Sequence, residues 1–398
     1  MSVTAARGFR AAGVRAGLKT SGKSDLALVV NDGPLDTAAG VFTTNRVVAA
    51  PVVWSRRLLA GQEGGQPGRA RAVVLNSGSA NACTGSQGLR DTEATAARAA
   101  GLLGVEPGRV LVCSTGVIGE RIDMPVLLEG LDVATLALAD TPRAGTDAAT
   151  AIMTTDTVSK EDTLTMGAGE ERWTIGGMIK GVGMLAPGLA TMLAVLTTDA
   201  VLTPQEAQDA LASVTARTVN RINSDGCMST NDTVLLLASG ASGNTPSRAE
   251  FEEALTEVMS RLGRRLVADA EGATHDIAIT VSGAVSEAAA EAAARTVSSS
   301  NLLKCAVAGA DPNWGRVLSQ LGTVPEDVCP FDPEEVDVAI NGVTIFRHGA
   351  PDQDRDSVDM SPRETRIDIT LSAGQAEATV WTNDLTHGYV TINADYTT

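Results

Sequence analysis

The stretch from residue 176 to residue 197 constrains the fold most, because a turn-rich segment runs directly into a core element. It reads GGMIKGVGMLAPGLATMLAVLT, with five glycines in its first thirteen residues and a Pro187-Gly188 pair. From Thr191 the chain is Thr-Met-Leu-Ala-Val-Leu-Thr, a short apolar run typical of a buried strand. The sequence therefore predicts a rigid strand that begins beside a loop, with a hydroxyl residue at the junction.

This junction has two interpretations. The first is an ordinary glycine turn before a core strand, which the residues alone favour because such turns are common. The second is a chain that cuts itself between Ala190 and Thr191, so that Thr191 becomes a new N-terminus. An α-amino group has a pKa of about 7.7–8.0, against about 10.4 for a lysine amine. Such an amine on the nucleophile's own residue can therefore accept the hydroxyl proton at neutral pH.

The charge of the chain limits its partners. The formal net charge is −17 and aromatic residues make up only 3% of the chain, which argues against nucleic acid and anionic membranes as partners. Residues 1–190 hold 18 basic and 18 acidic side chains, so the excess acid lies entirely in residues 191–398. A chain of 398 residues is long enough for two domains or one large domain with a sizeable core.

Cysteine usage indicates the compartment. The five cysteines lie far apart and form no C-x-x-C pair, which predicts a reduced intracellular protein without a zinc site. No stretch approaches the roughly 18 apolar residues of a membrane span. The first acidic residue is Asp25, after five basic ones, which resembles a transit peptide weakly. The segment lacks the periodicity of an amphipathic helix, and we therefore expect a cytoplasmic protein.

The first half alternates predicted strands and helices. Such alternation predicts an α/β layered fold. The apolar runs 26–30, 38–42 and 47–54 are predicted as strands between turns. The further predictions are strands at 73–75, 109–113 and 173–180, and helices at 91–103, 124–138 and 145–153.

The second half continues the alternation. Thr203-Pro-Gln-Glu206 and Ser247-Arg-Ala-Glu250 are capping boxes that predict helices to about residues 221 and 270. Asn341-Gly342 is a strong hairpin signal. The other predictions are strands at 233–238, 276–281, 335–347, 365–372 and 377–382, and a helix at 284–297. The polar end, 391–398, has the composition of a free tail.

Catalytic motifs of the commonest kinds are missing from the sequence. The chain has no G-x-S-x-G and no H-E-x-x-H, so a serine-hydrolase elbow and a histidine metal site are unsupported. Residues 181–186 match the dinucleotide fingerprint G-x-G-x-x-A, which keeps a nucleotide-binding oxidoreductase as a remote alternative. Pro187-Gly188, however, stands where that fingerprint requires a helix.

Four polar segments are candidates for a site, each with an ordinary structural alternative. Residues 114–119 follow a strand, and a turn there exposes N–H groups that can hold an oxyanion. Residues 154–157 follow a helix, where a simple cap is the alternative. Residues 269–272 end a long helix, although acids are disfavoured at that end of the helix dipole. Residues 223–232 form a polar loop whose oxygen spacing does not fit an EF-hand.

Seven segments in order resemble the ornithine acetyltransferase family, also called the bifunctional glutamate N-acetyltransferase of arginine biosynthesis. The resemblance runs through essentially the whole chain and makes self-cleavage the expected outcome. The segments are LNSGSANACTG (75–85), STGVIG (114–119), MTTDT (153–157), KGVGM (180–184), ATML (190–193), DAEG (269–272) and DPNWGR (311–316).

The resemblance implies an architecture and a reaction. The fold is a layered αββα-like arrangement with a C-terminal α/β portion. Cleavage at Ala190-Thr191 gives an α chain, 1–190, and a β chain, 191–398, which stay together as an α2β2 assembly. The substrates are N-acetyl-L-ornithine and L-glutamate, with acetyl-CoA as a further acetyl donor in bifunctional members. No metal and no cofactor are implied.

The resemblance also assigns residues. Thr191 is the nucleophile and cleavage residue, while Thr115 and Gly116 stabilise the oxyanion. The substrate contacts are Thr154, Lys180, Thr191, Glu271, Asn393 and Thr398. Leu189 replaces a methionine common in the family, a volume-conserving change. A self-processing aminopeptidase, which releases a residue to water, is the nearer alternative.

Overall fold

The computed structural model describes residues 2–184 and 192–395. Within these ranges the strands are β1 (Phe9–Val14), β2 (Leu26–Asn31), β3 (Thr37–Phe42), β4 (Ala72–Ser79), β5 (Val110–Val117), β6 (Lys160–Met166), β7 (Trp173–Lys180), β8 (Leu193–Thr198), β9 (Thr233–Ala238), β10 (Asp276–Ala284), β11 (Asp337–Ile340), β12 (Val343–Arg347), β13 (Ala350–Pro351), β14 (Glu364–Thr370) and β15 (Ala376–Asn383). The helices are α1 (Ala50–Leu59), α2 (Gly85–Leu103), α3 (Met124–Leu136), α4 (Pro142–Ala151), α5 (Pro204–Arg217), α6 (Arg248–Ala268), α7 (Glu287–Ser298), α8 (Asn301–Ala308), α9 (Trp314–Leu321) and α10 (His387–Asp395).

The first sheet has the strand order β1-β2-β4-β5. Its first three strands pair antiparallel, whereas β4 and β5 run parallel and are connected through α2. Helices α2 and α3 contact each other and pack against this sheet. Their buried faces share one apolar core with the strands, and the fully buried apolar side chains of α2 are alanines such as Ala96 and Ala99.

The central sheet has the order β3-β9-β8-β7-β6 and is covered on both faces. Strand β8 shows how: Leu193 and Val195 join the core of the first sheet, while Ala194 and Leu196 join a second core with α5 and α6. Neighbouring side chains of a strand point to opposite faces, so a strand buried on both sides must be apolar throughout. The result is a helix–sheet–sheet–helix stack.

The C-terminal sheet has the order β13-β12-β11-β14-β10-β15. Helix α7 packs on β10 and β15, and α9 packs on β11. Strand β14 alternates exposed and buried residues, so one face of this sheet meets the helices and the other meets solvent. This region is the predicted C-terminal α/β portion, and with the stack described above it confirms the α/β layered fold.

Two predictions of local structure are wrong. The apolar run 47–54 was expected to be a strand, but α1 begins at Ala50 with Pro51 in its first turn. Proline is well placed there, and tertiary packing overrides the β preference of the Val-Val-Trp triplet. Strand β5 was expected to end at residue 113 with a turn at 114–119, but it continues to Val117 beside the end of β4.

Helix α1 helps to hold this extended β5 in place. The indole Nε1 of Trp54 donates to the Val110 carbonyl at 3.0 Å, and the Ser55 hydroxyl donates to the Val112 carbonyl at 2.8 Å. Both helix side chains are buried. Ser55 Oγ also accepts the Val112 amide at 3.0 Å. Three side-chain hydrogen bonds from α1, as well as its ladder, therefore fix the strand that leads to Thr115 and Gly116.

The polar end of the chain is helical up to Asp395. Asn393 lies in this exposed helix, α10. No helix of the described ranges is long and apolar enough to cross a membrane.

Candidate active site

The end of β5 places Thr115 and Gly116 beside the end of β4. Gly116 has φ +133° and pairs with Gly78, whose φ is +117°. A Cβ on Gly116 would lie 2.4 Å from the Gly78 carbonyl carbon, so only glycine permits this approach of the two backbones. Thr115 is buried, with 3% of its surface exposed. The glycine pair therefore sets the direction of the backbone at Thr115 and Gly116, the residues predicted to stabilise the oxyanion.

Lys180 ends β7 and is buried within the same region. Its Nζ donates to Thr154 Oγ1 at 2.8 Å and to Thr115 Oγ1 at 3.2 Å. Burial lowers the pKa of Lys180, and the nearby Asp156 carboxylate opposes that effect. Because the Thr115 oxygen accepts a hydrogen bond from Lys180, the hydroxyl hydrogen of Thr115 is free to point to another acceptor.

A buried ionic cluster positions Lys180 and the segment that carries Thr154. Lys160 Nζ lies 2.7 Å from Asp156 Oδ1 and 2.6 Å from Asp269 Oδ2. Asp156 Oδ1 also accepts the Gly181 amide at 2.8 Å. Burial raises the pKa of Asp156, but Lys180 and Lys160 outweigh it and leave that pKa lowered to about 2. The carboxylate is therefore ionised and ties β7 to the loop after α4.

Glu271 follows the C-terminal end of α6 and connects three segments. Its amide donates to the Val182 carbonyl at 3.1 Å. Its carboxylate accepts from Thr155 Oγ1 at 3.0 Å and from Asn393 Nδ2 at 3.0 Å. Gly272 has φ +66°, and a Cβ there would lie 2.2 Å from the Tyr389 amide. The glycine after Glu271 therefore lets α10 approach closely enough for Asn393 to reach the carboxylate.

These side chains line one cleft of about 110 Å³. The structure brings together six residues that the sequence assigned to the site: Thr115, Gly116, Thr154, Lys180, Glu271 and Asn393. Their roles stay predictions. Ala190, Thr191 and Thr398 lie outside the described residues.

Two carboxylates that the sequence did not assign hold the chain on both sides of the junction. Asp225 Oδ2 accepts the Met184 amide at 2.7 Å, and Asp232 Oδ1 accepts the Met192 amide at 3.0 Å. Both belong to the polar loop 223–232, which sequence analysis singled out without a role. Asn231 ties that loop to β5, because its Nδ2 donates to the Ser114 carbonyl at 2.8 Å. The excess of Asn, Ser and Asp in this loop was the available signal.

A second cavity, of about 200 Å³, adjoins the cleft through Val182 and Glu271. Lys304 and Asp225 lie on its wall, and Lys304 Nζ donates to the Ser224 carbonyl. Burial lowers the pKa of Lys304 and raises that of Asp225, while each charge partly offsets the effect on the other. No motif pointed to Lys304, which lies in an apolar helix.

The described ranges do not support the dinucleotide-binding alternative. The dinucleotide fingerprint requires a helix after Gly181, whereas residues 181–184 are not helical and the next described element is strand β8. No group of three histidine, cysteine, aspartate or glutamate side chains in those ranges is arranged to hold a metal.

The chain matches proteins of known family along its length. The family model described as "ArgJ family" matches residues 10–398. The arginine biosynthesis bifunctional protein ArgJ of Bifidobacterium longum is 58% identical over 398 residues, and that of Streptomyces coelicolor is 54% identical over 396 residues. Each alignment covers 100% of both chains.

A solved structure also resembles this chain. It is the ornithine acetyltransferase of Mycobacterium tuberculosis complexed with ornithine, with 49% sequence identity and a TM-score of 0.44. The match covers 48% of this chain and 96% of the solved chain. The family match spans nearly all of the sequence, and the two relatives exceed half identity over their full length. The chain therefore belongs to the ArgJ family.

Proposed function

We propose that this chain is a bifunctional acetyltransferase of arginine biosynthesis. It moves the acetyl group from N-acetyl-L-ornithine to L-glutamate, and it also acetylates glutamate from acetyl-CoA. Family membership over the whole length supports this reaction over a hydrolytic aminopeptidase and over an oxidoreductase. The observation that carries the proposal is the cleft in which Thr115, Lys180 and Glu271 converge beside the start of β8.

The chain is cut between Ala190 and Thr191 into segments 1–190 and 191–398. The central sheet supports this division, because it takes β3, β7 and β6 from the first segment and β8 and β9 from the second. Strand β8 pairs with β7 on one side and with β9 on the other. A cut in the connection between β7 and β8 therefore leaves both ladders intact and the two segments associated.

The first chemical step is transfer of the acetyl group to the enzyme. The hydroxyl of Thr191 attacks the acetyl carbonyl carbon of N-acetylornithine, and the α-amino group of Thr191 takes the hydroxyl proton. The Thr115 hydroxyl and the Gly116 amide donate to the oxyanion. When the carbon–nitrogen bond breaks, the proton passes from the Thr191 ammonium to the departing amine. Ornithine leaves and an acetyl ester remains on Thr191.

The second step returns the enzyme to its starting state. The neutral α-amine of glutamate attacks the ester carbonyl, and the same donors hold the oxyanion. The ester bond breaks, the Thr191 oxygen regains a proton through the adjacent amine, and N-acetylglutamate leaves. With acetyl-CoA as donor, the first step breaks a thioester bond in place of an amide bond.

The arrangement of Lys180 supports its role in both binding and catalysis. Its two described hydrogen bonds go to threonine hydroxyls, so one ammonium N–H is available for the α-carboxylate that both substrates carry. Its bond to Thr115 leaves that hydroxyl hydrogen free for the oxyanion. Glu271, at the same cleft, suits the side-chain ammonium of ornithine. Thr154, Asn393 and Thr398 complete the proposed substrate contacts.

The assembly and the location belong to the same proposal. We assign the two segments to an α2β2 assembly in the cytoplasm, and the five free cysteines suit a reducing compartment. The proposed reaction uses acetyl-CoA as a co-substrate and requires no metal or other cofactor.

Intact mass spectrometry combined with a transfer assay tests the proposal. We expect two chains, one ending at Ala190 and one beginning at Thr191, and acetyl transfer to glutamate that exceeds release of acetate to water. Thr191→Ala should leave the chain uncut and inactive, whereas Thr323→Ala, at an exposed position on the C-terminal part, should be cut and active. An uncut wild-type chain with full transferase activity contradicts the proposal.

A further inference from the structure

Asp232 directly precedes β9 and holds a buried carboxyl group beside the start of β8, and it has no role in the reaction steps above. The residue has none of its surface exposed. Its Oδ1 accepts the Met192 amide at 3.0 Å, and the next residue, Thr233, donates its amide to the Met192 carbonyl at 3.1 Å. Both polar backbone groups of Met192 are thus held by Asp232 and Thr233.

The second oxygen of Asp232 is the unusual feature. Oδ2 is buried and has no hydrogen-bond donor of good geometry within residues 2–184 and 192–395, although Ser229 lies near enough to lower the pKa of the carboxyl. A buried polar atom without a partner costs about 1–3 kcal/mol, and native proteins rarely retain one without a reason. An oxygen in this condition is suited to receive a donor that arises during the protein's own chemistry.

Covalent geometry places such a donor within reach. The amino nitrogen of Thr191 is three bonds from the Met192 nitrogen, with lengths of about 1.46, 1.52 and 1.33 Å, so the two nitrogens are at most about 3.7 Å apart. Asp232 is bonded to that Met192 nitrogen. Together with the 3.0 Å contact of Met192, this limit keeps the amine that cleavage before Thr191 releases within about 7 Å of Asp232 Oδ1.

We propose that Asp232 is the positioning residue of the N-terminal nucleophile: it orients the Thr191 amino group and stabilises the ammonium that forms when this amine takes the hydroxyl proton. This inference rests on the proposed function. Catalytic sites of this logic place a nucleophile beside a base, and a third group orients the base. Here Thr191 supplies the nucleophile and the base, and Asp232 supplies the third group.

The electrostatics of the site agree with this assignment. Burial raises the pKa of Asp232 well above its usual value, while the Met192 amide, Lys180 and Ser229 partly offset that effect. The charge of Lys180, at the end of β7, lowers the pKa of Asp232. The Thr191 ammonium would add positive charge beside the Asp232 carboxyl and so favour its ionised form. The two groups therefore titrate as a coupled pair.

The substitution Asp232→Asn tests the role. Asparagine keeps an oxygen for the Met192 amide but removes the charge and the second acceptor. We expect kcat to fall by about 10²- to 10⁴-fold, as for orienting carboxylates elsewhere, with KM for N-acetylornithine changed less. Because a carboxylate raises the pKa of a neighbouring amine, its removal should shift the acid limb of the kcat profile to lower pH.

Asp199→Asn is the matched control. Asp199 is a buried aspartate just after the other end of β8, where its Oδ1 accepts the Thr174 amide at 2.7 Å. Its substitution should lower the melting temperature but leave the pH profile in place. An Asp232→Asn chain that is folded and cut like Asp199→Asn, but turns over slowly with its acid limb at lower pH, supports the proposal.

Asp232→Glu keeps the inference testable if the asparagine variant does not fold. It retains the carboxylate on a longer arm, so the acid limb should stay at the wild-type pH even if kcat falls. A wild-type rate and profile in Asp232→Asn, or an acid limb shifted in Asp232→Glu, overturns the positioning role. A wild-type chain that is never cut overturns the proposed function itself, and the two failures are therefore distinct.

Discussion

The central sheet and the C-terminal sheet are both packed against helices, but the ion pair compared here is buried at the first and exposed at the second. Strand β9 of the central sheet is buried at all six positions, whereas β14 of the C-terminal sheet alternates exposed and buried residues. At the edge of the first, Lys160 and Asp156 form a pair with fully buried side chains. In the second, Arg366 and Glu364 pair with most of their side-chain surface exposed.

The difference shows where electrostatics can serve catalysis. Charges in water are screened, and exposed pairs contribute little. A charge buried between the packed sheets is strongly destabilising without a partner. Each buried charge therefore fixes the position of the side chains that pair with it. The candidate site lies at the end of the central sheet, where such constraints fix the direction of Lys180 and of the Thr154 segment. Three substitutions examine this contrast.

Lys180→Met should have the largest effect on activity. It removes the buried cation that donates to Thr115 and Thr154, so we expect kcat/KM to fall by about 10²- to 10³-fold, comparable to the loss of one partner of a buried charge pair. Steady-state kinetics with N-acetylornithine and glutamate give the measurement. Lys23→Met, in an exposed loop, is the control and should behave as wild type. Equal activity of the two variants would remove Lys180 from the site.

Asp156→Asn should destabilise the fold by about 3–5 kcal/mol at pH 7, because it leaves two buried lysines without their shared carboxylate. The pKa of Asp156 is lowered to about 2 in the folded chain, against about 3.9 when unfolded. Its stabilisation is therefore present above pH 4 and is lost as pH falls towards 2. Urea unfolding at several pH values should show a flatter acid dependence in the variant.

The C-terminal sheet provides the control for that experiment. Glu364→Gln breaks an exposed pair, so the unfolding midpoint should not change measurably. A similar loss in both variants would mean that burial does not distinguish the two sheets.

Gly272→Ala should have the smallest effect of the three. Gly272 has φ +66°, and a Cβ added there would lie 2.2 Å from the Tyr389 amide nitrogen of α10. Gly342, in the C-terminal sheet, has φ +83°, and a Cβ added there would meet no atom within 4 Å. We expect about 1–3 kcal/mol of destabilisation at Gly272, together with a several-fold rise in KM as α10 moves away from Glu271. Gly342→Ala should cost about 1–2 kcal/mol and leave KM unchanged.

The sequence predicted correctly those strands and helix starts that depend on a few neighbouring residues. The run Thr233–Ala238 is apolar after its first residue and forms β9 with the predicted bounds. The capping boxes at Thr203 and Ser247 both form with their reciprocal hydrogen bonds. In these places a few neighbouring residues contain all the information that is needed.

The sequence was less informative where distant segments decide the outcome. The end of β5 looks like a turn until Gly78 of β4 lies beside Gly116. Asp269 and Lys160 pair across more than a hundred residues, which no local pattern indicates. The site residues were identified through family motifs, whereas the loop that holds Met184 and Met192 received no role because its partners are distant in sequence.

The pairing of β8 with strands from both sides of the junction has a consequence for how the enzyme matures. Under the proposed scission, the nucleophile is released only after the central sheet has assembled around it, because the residues that hold the start of β8 come from that assembly. Misfolded copies then never acquire a reactive terminus. Cleavage of this bond therefore indicates that the central sheet has folded, and only chains that have folded and been cut become active.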